Sequence, residues 1–342
     1  MLLHLDHDGA RALLGAFRSV ATAGGVTPLS GHATGAVSSL ATLGLGVEPP
    51  DPHLLRPVVP AELADSLADS LGDPGLASTA VEILAIAALV DGTLDPGRID
   101  HLLAFARHLG VADHWLDDVE RSLDPDLGPV IADMGDRNLR SVTDGRLDVS
   151  DIDDISSWLL PYDGDGADDH LGDRYRELGR LAPGTLGHAF WAFYDDHGFA
   201  FPGQPGAVNE LFGTPHDCTH LLSGYDTSPQ GELLVSTFTA RMHPVFPMEG
   251  HILPVIYSWH LGIEFNRLAG SYRGALDAAK LWVAWDRGSR TTSDTFARDF
   301  DLWELAVEPL DVVRRAFGVP PLDPEHAAHS DAVAGIDYHP IA

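Results

Sequence analysis

Hydrophobic residues recur at helical spacing through most of the chain. The segment VEILAIAALVDG carries one apolar stripe at intervals of three and four residues, formed by Val81, Leu84, Ala85, Ala88 and Leu89. The segment DPGRIDHLLAFARHLG has the end signals of a helix, with Asp95 as N-cap, Pro96 in the first helical position and Gly110 as the stop. ADHWLDDVERSL adds a further amphipathic pattern, and alternating strand patterns of useful length are absent. The sequence therefore predicts an all-α protein.

Changes in composition divide the chain into four parts. Residues 1–143 predict a smaller helical domain. Residues 144–174 are rich in Asp and Gly and predict an acidic linker. Residues 175–320 are rich in aromatic residues and histidine and predict a helical bundle, followed by a C-terminal tail at 321–342. A calcium loop in DGDGADD is disfavoured, because Asp168 stands where an EF-hand needs glycine and Arg174 where it needs glutamate.

Charge and cysteine content narrow the function classes. The 342 residues carry a formal net charge of −30, which repels nucleic-acid phosphates and anionic lipid headgroups. Cys218 is the only cysteine, so no intrachain disulfide is expected. The N-terminal residues lack a secretory signal pattern, and the longest apolar run, LASTAVEILAIAALV, is interrupted by Glu82 and too short to span a membrane. A soluble cytoplasmic protein without a nucleic-acid partner is expected.

The stretch HDCTHLLSGYDTSPQGE, residues 216 to 232, concentrates residue types that bind metals. Successive residues turn by about 100° around a helix, so His220 lies about 40° and Asp217 about 100° from His216. All three therefore fit one helix face. Gly224 is a natural end for this helix.

A second helix is predicted to follow directly. Thr227 and Gln230 have capping-box spacing, which makes Thr227 the expected N-cap, and Pro229 is tolerated in a first turn. Glu232 then lies near the start of this helix, where the helix dipole favours an ionised carboxylate. Because helices joined by a short loop run antiparallel, we expect Glu232 to point back towards the histidine face.

Two imidazoles and two carboxylates at this spacing favour a metal site. A bare pair of histidines four apart is more commonly an exposed or core pair, but Asp217 and Glu232, with helix caps between, shift the balance. Cys218 lies about 200° from His216 and is expected to be a small buried residue. Zinc suits imidazole and carboxylate donors, whereas iron or manganese better suits a step that uses O₂.

The same motif carries a family resemblance. The pattern His-Asp-x-x-His, eleven residues, Glu resembles the signature of the coenzyme Q (ubiquinone) biosynthesis protein 4 family. LAPGTLGHAFWAFYDDHGF, residues 181–199, is similar to that family's Pro-Gly-Thr-Phe-Gly-x-x-Tyr block. Residues 282–319 resemble its C-terminal block, including Trp303-Glu304 and a Leu-x-x-x-Arg ending. The resemblance covers about 175–320, and the rhythm of residues 77–123 is faintly similar to tellurite-resistance B-type helical domains.

The resemblance implies an all-helical, metal-binding protein of quinone biosynthesis. It implies a prenylated aromatic acid as the ligand, oxidative decarboxylation of the ring as the reaction, and other quinone-biosynthesis enzymes as partners. By resemblance, the metal ligands are His216, Asp217, His220 and Glu232. Zinc is the ion expected after purification, and Asp217 is the expected catalytic group. A lipid-like substrate is also compatible with peripheral contact with a membrane.

Three other functions are compatible with parts of this pattern. A zinc peptidase of the gluzincin type shares His-x-x-x-His and a distant Glu, but Asp217 replaces the longer glutamate that serves there as general base. A non-enzymatic role, binding prenyl lipids and organising a biosynthetic complex, needs no turnover at all. The His216-Asp217 doublet also occurs in HD-type phosphohydrolases, but the further His and Asp of that fold are not singled out by the sequence.

Further histidines and aromatic residues lie near the motif in the sequence. His243, His251 and His260 follow it. The one-turn spacing of His260 and Glu264 favours a pair on a helix surface over a pair that orients substrate or supports the metal ligands. Core packing or the lining of an isoprenoid tunnel explains a set of aromatic residues equally well: Phe190, Trp191, Phe193, Tyr194, Phe238, Phe246, Tyr257 and Trp259.

Overall fold

The structure is a computed structural model that describes residues 1–67, 74–143, 152, 155–265 and 270–329. The α-helices are α1 (His7–Ala21), α2 (Gly31–Ser39), α3 (Pro60–Leu67), α4 (Pro74–Leu89), α5 (Pro96–His108), α6 (His114–Arg121), α7 (Gly128–Thr143), α8 (Ile155–Leu159), α9 (Asp169–Glu177), α10 (Leu186–His197), α11 (Glu210–Ser223), α12 (Pro229–Met242), α13 (Leu253–Trp259), α14 (Ala278–Arg290), α15 (Leu302–Leu305) and α16 (Leu310–Ala316). Two π-helical turns span Leu40–Gly44 and Pro247–Ile252. Over these ranges extended pairing is limited to isolated bridges, which confirms the all-α prediction.

Helix α4 is the centre of the N-terminal half. The predicted apolar stripe is buried, but so are Ile83, Ile86 and Ala87 on the other faces, all with 0% exposure. A helix that is apolar on every side must be surrounded by protein, and α4 packs against both α1 and α5. Helix α5 begins as predicted, because the Asp95 side chain accepts the backbone N–H of Arg98.

The largest apolar cluster extends from Leu3 to Phe296. Helix α12 packs along α14, and α14 in turn contacts α2 and the π-helical turn Leu40–Gly44. A smaller cluster around Phe190, Leu222 and Phe317 joins α9, α10, α11 and α16. The division of the chain at residues 143 and 174 stays a prediction, although apolar contacts continue across it.

Part of the predicted linker is helical. Helix α8, a 3₁₀ turn at Gly164–Gly166 and most of α9 lie within residues 155–174. Residues 144–151, 153 and 154 lie outside the described residues, as do residues 330–342 of the predicted tail. No helix in the described part of the chain is both long enough and apolar enough to cross a membrane.

A buried ion pair links the two halves of the core. Arg241 Nη2 on α12 donates to Glu82 Oε2 on α4 at 2.8 Å, and the Arg241 guanidinium lies 3.7 Å from the ring centre of Trp285. Burial raises the pKa of Glu82, while the charge of Arg241 opposes that shift. The pair therefore fixes the far end of the helix that carries Glu232.

We expect Arg241→Met to lower the free energy of unfolding by about 3–5 kcal/mol, because it leaves the Glu82 carboxylate buried without a partner. This loss of unfolding free energy should become smaller as the pH falls, since a protonated Glu82 is neutral and costs less to bury. Denaturant unfolding at several pH values measures both effects. The double variant Glu82→Leu/Arg241→Met is the control and should recover most of the loss; an equally unstable double variant would contradict the explanation.

Candidate metal centre

Helix α11 places three of the four predicted ligands on one element. Its first turn is capped by Asn209, whose side chain accepts the N–H of Leu211. It ends at Gly224, which has a left-handed φ of 82° that other residues adopt at a cost. The predicted stop is therefore confirmed. His216 and Asp217 lie at the middle of this helix, and His220 lies in its last turn.

Helix α12 carries the fourth predicted ligand, Glu232, but its N-cap differs from the predicted one. Ser228, not Thr227, caps the helix, and its Oγ accepts the N–H of Gly231 at 3.1 Å. The prediction was wrong because Pro229 at the first helical position holds the residue before it in an extended conformation, which is the backbone an N-cap requires. The predicted capping-box partner Gln230 instead accepts a hydrogen bond from Lys280 Nζ.

The side chains of His216, His220 and Glu232 form a compact triangle. The Nε2 atoms of the two histidines lie 3.1 Å apart, and each lies 3.4 Å from a different Glu232 oxygen, Oε2 for His216 and Oε1 for His220. A tetrahedral cation with bonds of about 2.1 Å separates its ligand atoms by about 3.4 Å. The separations in the triangle are close to that value, and two imidazoles with one carboxylate are a donor set found for both zinc and iron.

Contacts behind the imidazoles orient them towards the triangle. His220 Nδ1 lies 3.0 Å from the carbonyl oxygen of Tyr225, so it carries the proton and leaves Nε2 free as a ligand. The His216 ring stacks on Phe212 with a centroid distance of 5.2 Å, and the His220 ring stacks on Phe193. Tyr225 and Phe212 carry no signal in the sequence, since only the fold brings them to the imidazoles.

Asp217 lies at the edge of the group. One of its carboxylate oxygens and the nitrogens of His216 and His220 lie within 4.8 Å of one another. Its Oδ2 accepts a hydrogen bond from the Tyr194 hydroxyl of α10 at 2.5 Å, which leaves the other oxygen for a cation or a water molecule. Burial raises the pKa of Asp217, although the two histidines oppose that shift.

Opposite charges in the group shift the pKa values of its members. Burial acts to lower the pKa of His220, but the Glu232 carboxylate outweighs it and raises the pKa to about 9. Burial also opposes ionisation of Glu232, yet His220 and hydrogen bonds from both imidazoles hold its pKa well below the usual range. The carboxylate thus requires positive charge beside it, which either a proton on His220 or a divalent cation supplies.

The triangle opens on a cavity of about 730 Å³. His216, Asp217 and Glu232 line it, while most of its wall is apolar: Met134, Leu139, Val142, Ile155, Leu159, Phe199, Val208, Phe212, Pro254, Val255, Trp259, Phe265 and Phe296. Of the aromatic residues considered from the sequence, Tyr194 and Trp259 reach the cavity. Phe190, Phe238 and Tyr257 are fully buried core residues.

The downstream histidines have different environments. His260 is buried, and its Nε2 donates to the carbonyl of Val90 while its Nδ1 accepts the N–H of Leu276. The predicted helix-surface pair with Glu264 is therefore wrong, because α13 ends at Trp259 and the imidazole turns into the core. His243 pairs with Asp294, and His251 lines the cavity.

A second group with metal-ligating side chains lies elsewhere, at His114, Asp118 and Asp133. Arg121 already occupies it, since its guanidinium donates to the carboxylates of both Asp118 and Asp133. The Arg121 guanidinium thus supplies the positive charge beside these carboxylates, which distinguishes this group from the triangle on α11 and α12.

Comparisons with known proteins add little to this geometry. No family model and no curated protein matches the chain. The chain is similar to a solved structure from Nostoc punctiforme PCC 73102 described as a "Putative ubiquinone biosynthesis protein", with 18% identity, coverage of 70% of this chain and 95% of that chain, and a TM-score of 0.31. The family resemblance of residues 175–320 stays a prediction.

We expect the purified protein to carry about one divalent metal ion per chain and His220→Ala to lose it. Loss of a contact behind a ligand typically costs 10–100-fold in metal affinity, so loss of a ligand should cost more than about 100-fold. Elemental analysis after chelator-free purification measures the content. His108→Ala, at an exposed position on α5, is the control and should retain the metal. Metal-free wild type would contradict the assignment.

Removing the charge of Glu232 and removing that of Asp217 should affect metal binding differently. Glu232→Gln should weaken metal binding and lower the melting temperature, because it removes the ligand that joins α12 to α11 and metal binding contributes to folding stability. Asp217→Asn should keep most of the metal, since its Oδ2 is already engaged by Tyr194. Metal occupancy and melting temperature of both variants decide the matter. An empty site in Asp217→Asn together with a full site in Glu232→Gln would remove Glu232 from the ligand set.

Proposed function

We propose that the protein is a metal-dependent enzyme of quinone biosynthesis that acts on a prenylated aromatic acid. The observation that carries the proposal is the triangle of His216, His220 and Glu232 at the wall of a largely apolar cavity. Such a cavity suits an isoprenoid chain, and the ligand triangle suits the polar head of the same molecule. The motif resemblance to the coenzyme Q biosynthesis protein 4 family points in the same direction.

The proposed reaction is oxidative decarboxylation of the ring. The bond between the ring and its carboxylate carbon breaks and releases CO₂, and a C–O bond to a water oxygen forms in its place, while O₂ accepts the two electrons and leaves as H₂O₂. A bound divalent cation would act as a Lewis acid towards the carboxylate and the incoming oxygen. Zinc is the ion we propose for the purified protein; iron or manganese would also supply redox chemistry for the oxidative step.

The residues around the triangle have separate roles in this proposal. His216, His220 and Glu232 hold the cation, and the Tyr225 carbonyl holds the His220 ring in its ligating tautomer. Asp217 stands beside them with one oxygen free of Tyr194, where it can take or return a proton on substrate or water. The apolar wall excludes water from the reacting carbon, which strengthens the electrostatic interactions there.

A non-enzymatic role is the second candidate. The apolar lining of the cavity favours binding of a prenyl lipid whether or not turnover occurs. In that case the protein would present the lipid to other quinone-biosynthesis enzymes, in contact with the periphery of a membrane. A peptidase is disfavoured because the carboxylate after the first histidine is the short Asp217, and it is bonded to Tyr194.

Incubation of the metal-loaded protein with a geranylated aromatic acid, with and without O₂, separates the enzymatic from the binding role. Release of CO₂ and formation of a ring hydroxyl, dependent on O₂ and abolished in Asp217→Asn, would support the enzyme. Retention of the unchanged ligand would favour the lipid-binding role. His108→Ala should behave as wild type in either case.

Affinity for prenyl ligands should increase with the length of the chain. Each buried CH₂ contributes about 0.8 kcal/mol, so one additional isoprene unit should tighten binding more than tenfold until the cavity is filled. Dissociation constants for a series of prenylated aromatic acids measure the dependence. Val255→Ala, which removes apolar surface from the wall, should weaken the longer ligands more than the short ones. Equal affinity across the series would argue against a chain-binding cavity.

A further inference from the structure

The cavity has a second polar group that the metal centre does not use. His251 lies on the π-helical turn Pro247–Ile252 and lines the same cavity as His216 and Glu232. It is 5% exposed, and most of its neighbours in the wall are apolar. The polar edge of an imidazole is costly to bury in such a wall without hydrogen-bond partners, so the position of His251 calls for an explanation.

The backbone that carries His251 is held in an unusual conformation. Phe246, directly before the π-helical turn, has φ 49° and ψ 53°, a left-handed conformation that a phenylalanine adopts only at a cost. The turn is fixed from α7, where Asn138 Nδ2 donates to the Gly250 carbonyl at 2.6 Å. Single π-helical turns of this kind frequently occur at functional sites. The position of His251 is therefore imposed by its surroundings.

Hydrogen bonds behind the ring decide which nitrogen carries the proton. Ser141 Oγ lies 2.9 Å from the Val245 carbonyl oxygen and 2.6 Å from His251 Nε2. The hydroxyl has one proton, and a carbonyl can only accept, so that proton goes to Val245. His251 Nε2 must then donate to Ser141 Oγ. His243, held between Asp294 and the Ser141 carbonyl, fixes the serine in turn.

The other nitrogen of His251 faces the cavity as a hydrogen-bond acceptor. Nδ1 has no hydrogen-bond partner among the described residues. It is not fully enclosed by protein either, so it is accessible from the cavity. Burial lowers the pKa of His251 to about 3, with His243 and His216 acting in the same direction. The ring is therefore neutral near pH 7, and its Nδ1 offers a lone pair.

We propose that His251 is the residue that recognises the head group of the ligand, with Nδ1 accepting a hydrogen bond from a hydroxyl on the aromatic ring. This inference rests on the proposed function, since it places the ring between the metal-binding triangle and His251. A carboxylate would be drawn to the cation, and a ring hydroxyl would be drawn to Nδ1. The cavity would thus select phenolic acids over aromatic acids that lack a hydroxyl.

Two probes test the selection: 4-hydroxybenzoic acid with a geranyl chain at position 3, and the same compound without the hydroxyl group. Dissociation constants are measured by calorimetry for metal-loaded wild type, His251→Leu, His251→Asn and Val255→Ala. Wild type should bind the phenol about tenfold more tightly than its deoxy analogue, since the deoxy analogue leaves the buried Nδ1 acceptor without a donor.

The variants separate hydrogen bonding from packing. His251→Leu should abolish the preference, while His251→Asn, whose side-chain oxygen can take the place of Nδ1, should restore part of it. Val255→Ala should weaken both probes equally and keep the preference. Metal content, measured in parallel, should match wild type in all variants.

These measurements distinguish an incorrect role for His251 from an incorrect proposed function. An unchanged preference for the phenol in His251→Leu, with metal and chain binding intact, would overturn the role of His251 and leave the proposed function standing. A wild-type protein that contains no metal or binds neither probe would overturn both.

Discussion

The site depends on a carboxylate held against two imidazoles at the junction of α11 and α12. Gly224 ends one helix in a left-handed conformation, and Ser228 with Pro229 begins the next four residues later. This short connection sets Glu232 within 3.4 Å of both His216 and His220. Buried charge at this density requires compensation, which either a proton on His220 or a divalent cation would provide.

The rest of the core keeps this junction in place. Helix α12 is buried along most of its length and carries Glu232 at one end and Arg241 at the other. Arg241 pairs with Glu82 of α4, the most enclosed helix of the N-terminal half. The N-terminal residues therefore contribute to the candidate metal centre indirectly, because they anchor the helix that carries Glu232.

The cavity combines two kinds of polar group within an apolar wall. In the proposed function a cation held by the triangle would attract anionic oxygen, and His251 would present a neutral acceptor to the same cavity. Both are oriented by contacts that lie behind them, the Tyr225 carbonyl for His220 and the Ser141 hydroxyl for His251. This arrangement would hold an aromatic ring by two substituents while an apolar chain fills the remaining volume.

The sequence by itself determined the features that depend on local spacing. Helical periodicity, Gly224 as a stop, and the proximity of His216 and His220 on one face all follow from about 100° of rotation per residue. Tertiary structure decided the contacts between distant residues, such as Tyr225 with His220 and Ser141 with His251, 110 positions apart. It also corrected the N-cap from Thr227 to Ser228 and turned His260 into the core. Periodicity identifies which residues share a face, but only packing fixes what that face meets.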